Sequence, residues 1–434
     1  MPRSFAPVPL QNEPATGTQS LRDATFRAEC LRAISSGILE TASATFLLLI
    51  AVRFFNADAT AKALVAAAGS SGMIISPGIV TFFSHRGTRP TKAAAFLNIV
   101  GGLSLLVCTA FPSLPIFLAG SLFSMIAVTC GIPLVTQVLQ DNYPAAERGR
   151  LFSRAFMIRI VVAAGFSQIA GWLLADASGR ITLLQVRGLL LAFALALFFG
   201  AWCFGRCPSR PLAAASSRHP LQALRYLGED AVFRRASISW MLMGFANLMM
   251  LPMRVEYLAN PRFGLTLSVA MIAFLTGVIP NLARLVMSPV WGNLFDRLNF
   301  FLLRVVINAG FAIGILAFFT GNSIAGLVVG SVVFGISNAG GDVAWSLWVT
   351  KVAAPERVAD YMSVHTFLTG IRGMAAPFAA FYLVKTYPPA VLGWFSAALI
   401  GVSCLVILPE LKWQPGIRRQ NNEPIAPPDP ELPS

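Results

Sequence analysis

Long apolar runs recur along the chain with short polar breaks between them, and twelve can be delimited: 33–52, 61–83, 93–112, 114–139, 155–175, 185–205, 236–258, 266–290, 301–320, 322–349, 361–384 and 389–409. Each reaches the roughly 20 residues with which a helix crosses a hydrocarbon core. In lipid the backbone must satisfy its own polar groups within the segment, so runs of this length are predicted to be helices. A membrane-spanning barrel would instead show short segments of alternating polarity. The predicted fold class is an all-α polytopic membrane protein with twelve transmembrane helices.

Composition agrees with that pattern. Of 434 residues, 56% are hydrophobic and only 12% charged, whereas a soluble domain is about a quarter charged; mean hydropathy is +0.68. Residues 1–32 lack the apolar core of a cleavable signal and are expected to form a polar tail. Residues 411–434 are Pro-rich and polar and are expected to be disordered. The six cysteines are scattered, and Cys203 with Cys207 is the one close pair; they are taken as small packing residues.

A formal charge of +14 raises the question of nucleic acid. If both termini lie on one face, the connections and tails of that face hold 23 of the 33 Lys and Arg residues, and the opposite connections hold 7. Such asymmetry is the positive-inside pattern, so the charge reports topology, with both termini cytoplasmic in an inner membrane and no nucleic-acid partner. The longest connection, 206–235, carries six arginines; it is expected to link the halves, either as a plain connector or as an amphipathic helix on the anionic leaflet. The expected organisation is a first bundle 33–205, this linker, and a second bundle 236–410.

The two halves share a degenerate corner. "SPGIVTFFSHRG" begins at Ser76 and "SPVWGNLFDRLN" at Ser288. "YPAAERGRLFSRAF" around Arg148 is matched by "AAPERVADYMSVHT" around Arg357, and Arg53 and Arg254 occupy equivalent helix ends. Repeated six-helix halves of this kind occur in transporters.

At this corner the chain resembles the major facilitator superfamily, whose loop signature is G-x-L-x-D-R-x-G followed by basic residues. Gly292, Leu294, Asp296 and Arg297 match, with Asn299 at the second glycine; the first copy keeps Gly87 and Arg89 but has Val80, Ser84 and His85 elsewhere. The resemblance covers about 33–409 and implies two pseudo-symmetric six-helix bundles that rock about a central site. Asp296 and Arg297 are expected to latch an outward-facing state through a helix N-terminus and a nearby arginine; the alternative is that Arg297 only follows the positive-inside pattern.

Ionisable residues inside spans are costly and mark functional sites. Glu40, Arg159, Arg284 and Asp342 lie at similar depth, on the order of 10 Å in at helical rise. Packed as in the family, Glu40 would reach Arg159 and Asp342 would reach Arg284, as gating or structural pairs; alternatively Glu40 or Asp342 takes up a proton. Arg372, near the midplane, would bind an anionic group or else pair with a carboxylate or helix carbonyl. His365 is two turns earlier on the same face, as a cavity wall or a proton relay. Asn338, Asp342 and Trp345 share a face of the tenth span, and Asn247 and Gln137 offer further polar positions; Trp345 has packing as its other reading.

There is no phosphate loop, H-E-x-x-H or nucleophile elbow, and only three His residues, so no enzyme, metal or cofactor is expected. The reading is a proton-coupled secondary transporter of a small polar, possibly anionic, solute, acting as a monomer. An efflux pump for amphipathic compounds and a transporter-like sensor are the alternatives.

Overall fold

The computed structural model describes residues 15–144, 147–174, 181–212, 224–265, 267–321, 323–353 and 358–412. Twelve long helices run through them. In the first half these are α1 (Ala15–Thr41, continued by a π turn Ala42–Phe46 into Leu47–Arg53), α2 (Ala59–His85), α3 (Pro90–Ala110), α4 (Leu114–Asn142), α5 (Arg148–Leu173) and α6 (Leu183–Arg206). The second half holds α7 (Ala231–Ala259), α8 (Val269–Ala273, a π turn Phe274–Val278, then Ile279–Arg297), α9 (Phe300–Phe319), α10 (Ile324–Val352), α11 (Val358–Leu383) and α12 (Pro389–Ile407).

Polar side chains start these helices by accepting a hydrogen bond from an otherwise free backbone N–H. Asp58 caps α2, Asp230 caps α7 and Ser268 caps α8. Thr182 and Gln185 form a reciprocal capping box on α6. Asn299, at the join of the Ser288 corner, accepts from Phe301 and Leu302 and so begins α9 immediately after α8.

Eleven of the twelve helices are long and apolar enough to cross a bilayer. The exception, α11, interrupts its run with His365, Thr369 and Arg372, all buried, and packs against α2 and α7. Helix α1 begins well before residue 33, so part of the expected tail is a polar helical extension, tied to the bundle by Arg22–Glu147 at 3.0 Å. In the expected linker, Tyr226–Glu229 forms one helical turn; residues 213–223 and the tail beyond 412 lie outside the described residues.

Packing repeats with a six-helix offset. In the first half α1 meets α5 and α6, α2 meets α4, and α3 meets α4 and α6; α7 to α12 repeat each of these pairings. The halves join through α2 with α11 and α5 with α8, which the same offset interchanges. This is two pseudo-symmetric bundles related by a two-fold axis, as the sequence repeat implies.

Small residues set the closest approaches, as expected where helices pack without a hydrophobic driving force between them. A Cβ at Gly335 would stand 2.3 Å from the Pro280 carbonyl oxygen and 2.7 Å from its Cα, so α10 lies directly on the α8 backbone. Gly335→Ala is expected to cost about 1–3 kcal/mol through overpacking, read as a lower unfolding temperature in detergent. Gly165→Ala, where the added carbon meets nothing within 4 Å, is the matched control.

Candidate functional site

Four charges of two bundles meet where α1, α5, α8 and α10 approach one another. Glu40 accepts from Arg159 Nε through Oε2 at 2.5 Å, and from Arg284 Nη1 through Oε1 at 2.5 Å. Arg284 Nε also donates to Asp342 Oδ2 at 2.6 Å, and its Nη1 lies 3.4 Å from Asn281 Oδ1. Phe156 of α5 sits near both guanidinium groups, 5.0 Å from Arg284 and 5.5 Å from Arg159. The two pairs expected within the halves are both present, and Glu40–Arg284 fuses them across the bundles. With two carboxylates and two guanidiniums the network is electrically balanced, which offsets much of the cost of placing charges inside a membrane.

The π turns place this network. Glu40 precedes the turn Ala42–Phe46 and Arg284 follows the turn Phe274–Val278. The Thr45 and Thr276 hydroxyls of those turns hydrogen-bond each other at 3.1 Å between the bundles. An extra residue per turn rotates the helix face beyond it, and such turns concentrate at functional sites.

The face away from the termini is closed. Lys62 of α2 donates to Glu256 Oε1 of α7 at 2.7 Å, and Asn260 and Arg262 also approach that fully buried carboxylate. Arg53 reaches the Ala259 and Leu267 carbonyls at 2.6 and 3.0 Å, and Thr60 pairs with Tyr382 at 2.8 Å. The Arg159 and Asp342 side chains nonetheless keep 37% and 35% of their exposure against 7% for Arg284.

Other predicted residues fall in three places. Asn338 lies on α10 between Gly335, which faces Pro280, and Asp342, which holds Arg284, and Gln137 is exposed on α4 with its amide on Asp141. Trp345 turns toward α11, its indole 3.5 Å from Thr369 Oγ1 and its ring beside His365. Asn247, with no partner for its Oδ1, borders a small space with Arg254, Phe318 and Phe334 inside the second bundle.

Arg372 is placed away from the network. It is 5% exposed, donates to the Trp240 carbonyl and to Thr369 Oγ1, and lies over Gly244 of α7. On α11 it is Gly370 and Gly373, not Arg372, that face α2 through Ile74 and Ser70. Among the described residues the partners of Arg372 are that helix carbonyl and a hydroxyl, with no carboxylate. His365 is enclosed with it, ringed by Trp240, Trp345 and Trp348.

At the corners, Gly87 takes the left-handed backbone that ends α2, Arg89 precedes the Pro90 that opens α3, and Arg297 is exposed at the end of α8 near the half-buried Gly292. The Asp296 side chain, on which the latch depends, lies outside the described residues. No group of three or more His, Cys, Asp or Glu suited to a metal occurs among the described residues, and the six cysteines are free.

Sequence reasoning misses three features. Arg304, counted among the connection charges, is buried inside α9; its place within the apolar run 301–320 is the available signal. Arg254, which the repeat sets at a helix end, is enclosed. Lys62–Glu256 joins residues 194 apart, and no local spacing signals such a pair.

The model of the Major Facilitator Superfamily matches residues 30–307. No curated protein matches the sequence. Among solved structures, that of a point mutant of the nucleoside transporter NupG superposes with a TM-score of 0.73 at 13% identity, over 90% of this chain and 100% of that one. The partially occluded inward-open xylose transporter XylE from E. coli gives 0.63 at 15% identity, over 91% and 97%. The human organic anion transporter MFSD10 (TETRAN) gives 0.63 at 14%, over 91% and 100%.

Proposed function

Since the chain belongs to the major facilitator superfamily, we propose that this membrane transporter is a proton-coupled secondary transporter of a small polar solute, alternating access around the Glu40–Arg159–Arg284–Asp342 network. The observation that carries this reading is the Glu40–Arg284 bond, an ion pair between the two bundles within their spans. A charge pair that joins moving parts is made in one state and broken in another, and a carboxylate released from its arginine in a membrane gains a proton readily. Glu40 is the proton carrier in this scheme and Asp342 its counterpart on α10.

The positive-inside distribution supports a cytoplasmic terminal face, and an inner membrane is the location this reading assigns. With Lys62–Glu256 and the Arg53 contacts made, the described state is then inward-facing. Asn338 and Gln137 supply hydrogen-bonding groups to the open side. The balanced network favours a solute without net charge over an anion, because Arg372 is enclosed and adds no charge there.

The test is uptake into proteoliposomes under an imposed proton gradient, with a panel of nucleosides, pentoses and organic anions chosen from the solutes named for the structurally similar transporters. Wild type is expected to accumulate one class. Glu40→Gln is expected to lose gradient-driven accumulation by more than about tenfold while retaining solute exchange, the signature of a lost coupling proton. Accumulation by Glu40→Gln at the wild-type rate would remove Glu40 from the scheme.

A further inference from the structure

Behind the Trp240 carbonyl the second bundle holds a cluster that the transport scheme does not use. Arg304 of α9 and Arg372 of α11 are 2% and 5% exposed. Their guanidinium carbons lie 3.3 Å and 5.7 Å from the centroid of the same Trp240 ring. Among the described residues neither has a carboxylate partner: Arg304 reaches the Met243 sulfur at 3.3 Å, and Arg372 reaches the Trp240 carbonyl and the Thr369 hydroxyl.

Five donor nitrogens here have no acceptor: Nε and Nη1 of Arg304, Nε of Arg372, and the indole nitrogens of Trp240 and Trp348. His365, 2% exposed, adds an unpartnered Nε2 beside both indoles. Two buried cations sharing one aromatic ring repel each other, and cation–π contact offsets only part of their lost hydration. Buried donors normally find acceptors, so a cluster of them with none, around excess positive charge, is built for something negative.

We propose that Arg304 and Arg372, with the indole N–H groups of Trp240 and Trp348, form an enclosed site inside the second bundle for a small, weakly hydrated inorganic anion such as chloride or nitrate. Enclosure sets the size. Arg372 already lies against bare α7 backbone, where a Cβ on Gly244 would come within 2.5 Å of it, so a bulky organic anion or a lipid headgroup has no room. Aromatic walls set the hydration class, since they replace none of the water that a strongly hydrated ion such as fluoride would surrender. The anion is a structural ligand that offsets part of the positive charge on α9 and α11 where both meet α7, and it is separate from the solute path at Arg284.

The experiment uses purified full-length protein in detergent, in sodium gluconate at constant ionic strength, with gluconate replaced stepwise by chloride, nitrate or fluoride. The unfolding temperature is expected to rise saturably with chloride and nitrate, by about 3–5 °C at an anion concentration a hundred times Kd, and much less with fluoride. Saturation at low concentration separates binding from general salt effects, which grow steadily. Arg304→Met is expected to remove the response and, in gluconate, to be at least as stable as wild type, because it deletes an uncompensated charge. Should that variant fail to fold, broadening of the ³⁵Cl resonance by wild-type protein, reversed by nitrate, tests the same site. A wild type with neither saturable stabilisation nor chloride broadening would overturn the proposal, and so would an undiminished response in Arg304→Met.

Discussion

Arg284→Gln is expected to be among the most destabilising single changes in this protein, at about 3–5 kcal/mol, because it leaves carboxylates of two bundles without their shared cation. The measurement is thermal unfolding in detergent. Arg159→Gln should cost less, since Arg159 is over a third exposed and its loss leaves Glu40 still paired with Arg284. The double change Arg284→Gln and Asp342→Asn removes one charge of each sign, leaves Glu40 paired with Arg159, and is expected to recover most of the stability without recovering gradient-driven uptake. That separates the cost of unpaired charge from the loss of a gate. Wild-type stability in Arg284→Gln would mean that the network contributes little to holding the bundles together.

Glu256→Gln is expected to open the closed face. Glu256 is fully buried and is the carboxylate on which Lys62, Asn260 and Arg262 converge. Without its charge Lys62 is left as an uncompensated cation between the bundles, which disfavours this state by about 3 kcal/mol, or on the order of 100-fold in population. Spin labels at Ser113 and Thr386, both exposed on that face of opposite bundles, report the change: the distance distribution should shift outward in Glu256→Gln and return when Lys62→Met is added. An unchanged distribution would show that the Arg53 and Tyr382 contacts hold the face shut unaided.

The candidate site is partly legible in the sequence. Glu40, Arg159, Arg284 and Asp342 stand out because each interrupts an apolar run at a similar depth, and depth along a helix is a linear function of residue number. Their pairing within halves follows from the repeat and the family resemblance. The bond from Glu40 to Arg284 does not, because it depends on how far the bundles tilt against each other and on two π turns that leave no mark in hydrophobic spacing. Arg372 shows the opposite error: its depth is readable and its direction is not. Gly244 opposite it is what lets the side chain turn into the bundle, and a glycine on another helix says nothing about its partner until the two are packed.

Arg304 carries the same lesson for charge counting. The join that sets it one turn inside α9 looks like a basic corner, and Asn299 makes it a helix start instead. What the sequence determined by itself was the solvent, the number of crossings, the repeat and the similar depth of Glu40, Arg159, Arg284 and Asp342, since these follow from the length and composition of consecutive residues. What the tertiary structure decided was which charges meet, which face is closed, and that Arg304 and Arg372 share one aromatic ring. Those depend on the rotation of each helix about its axis and on the relative tilt of the two bundles, and both are set by contacts between residues 194 to 322 positions apart that no local pattern encodes.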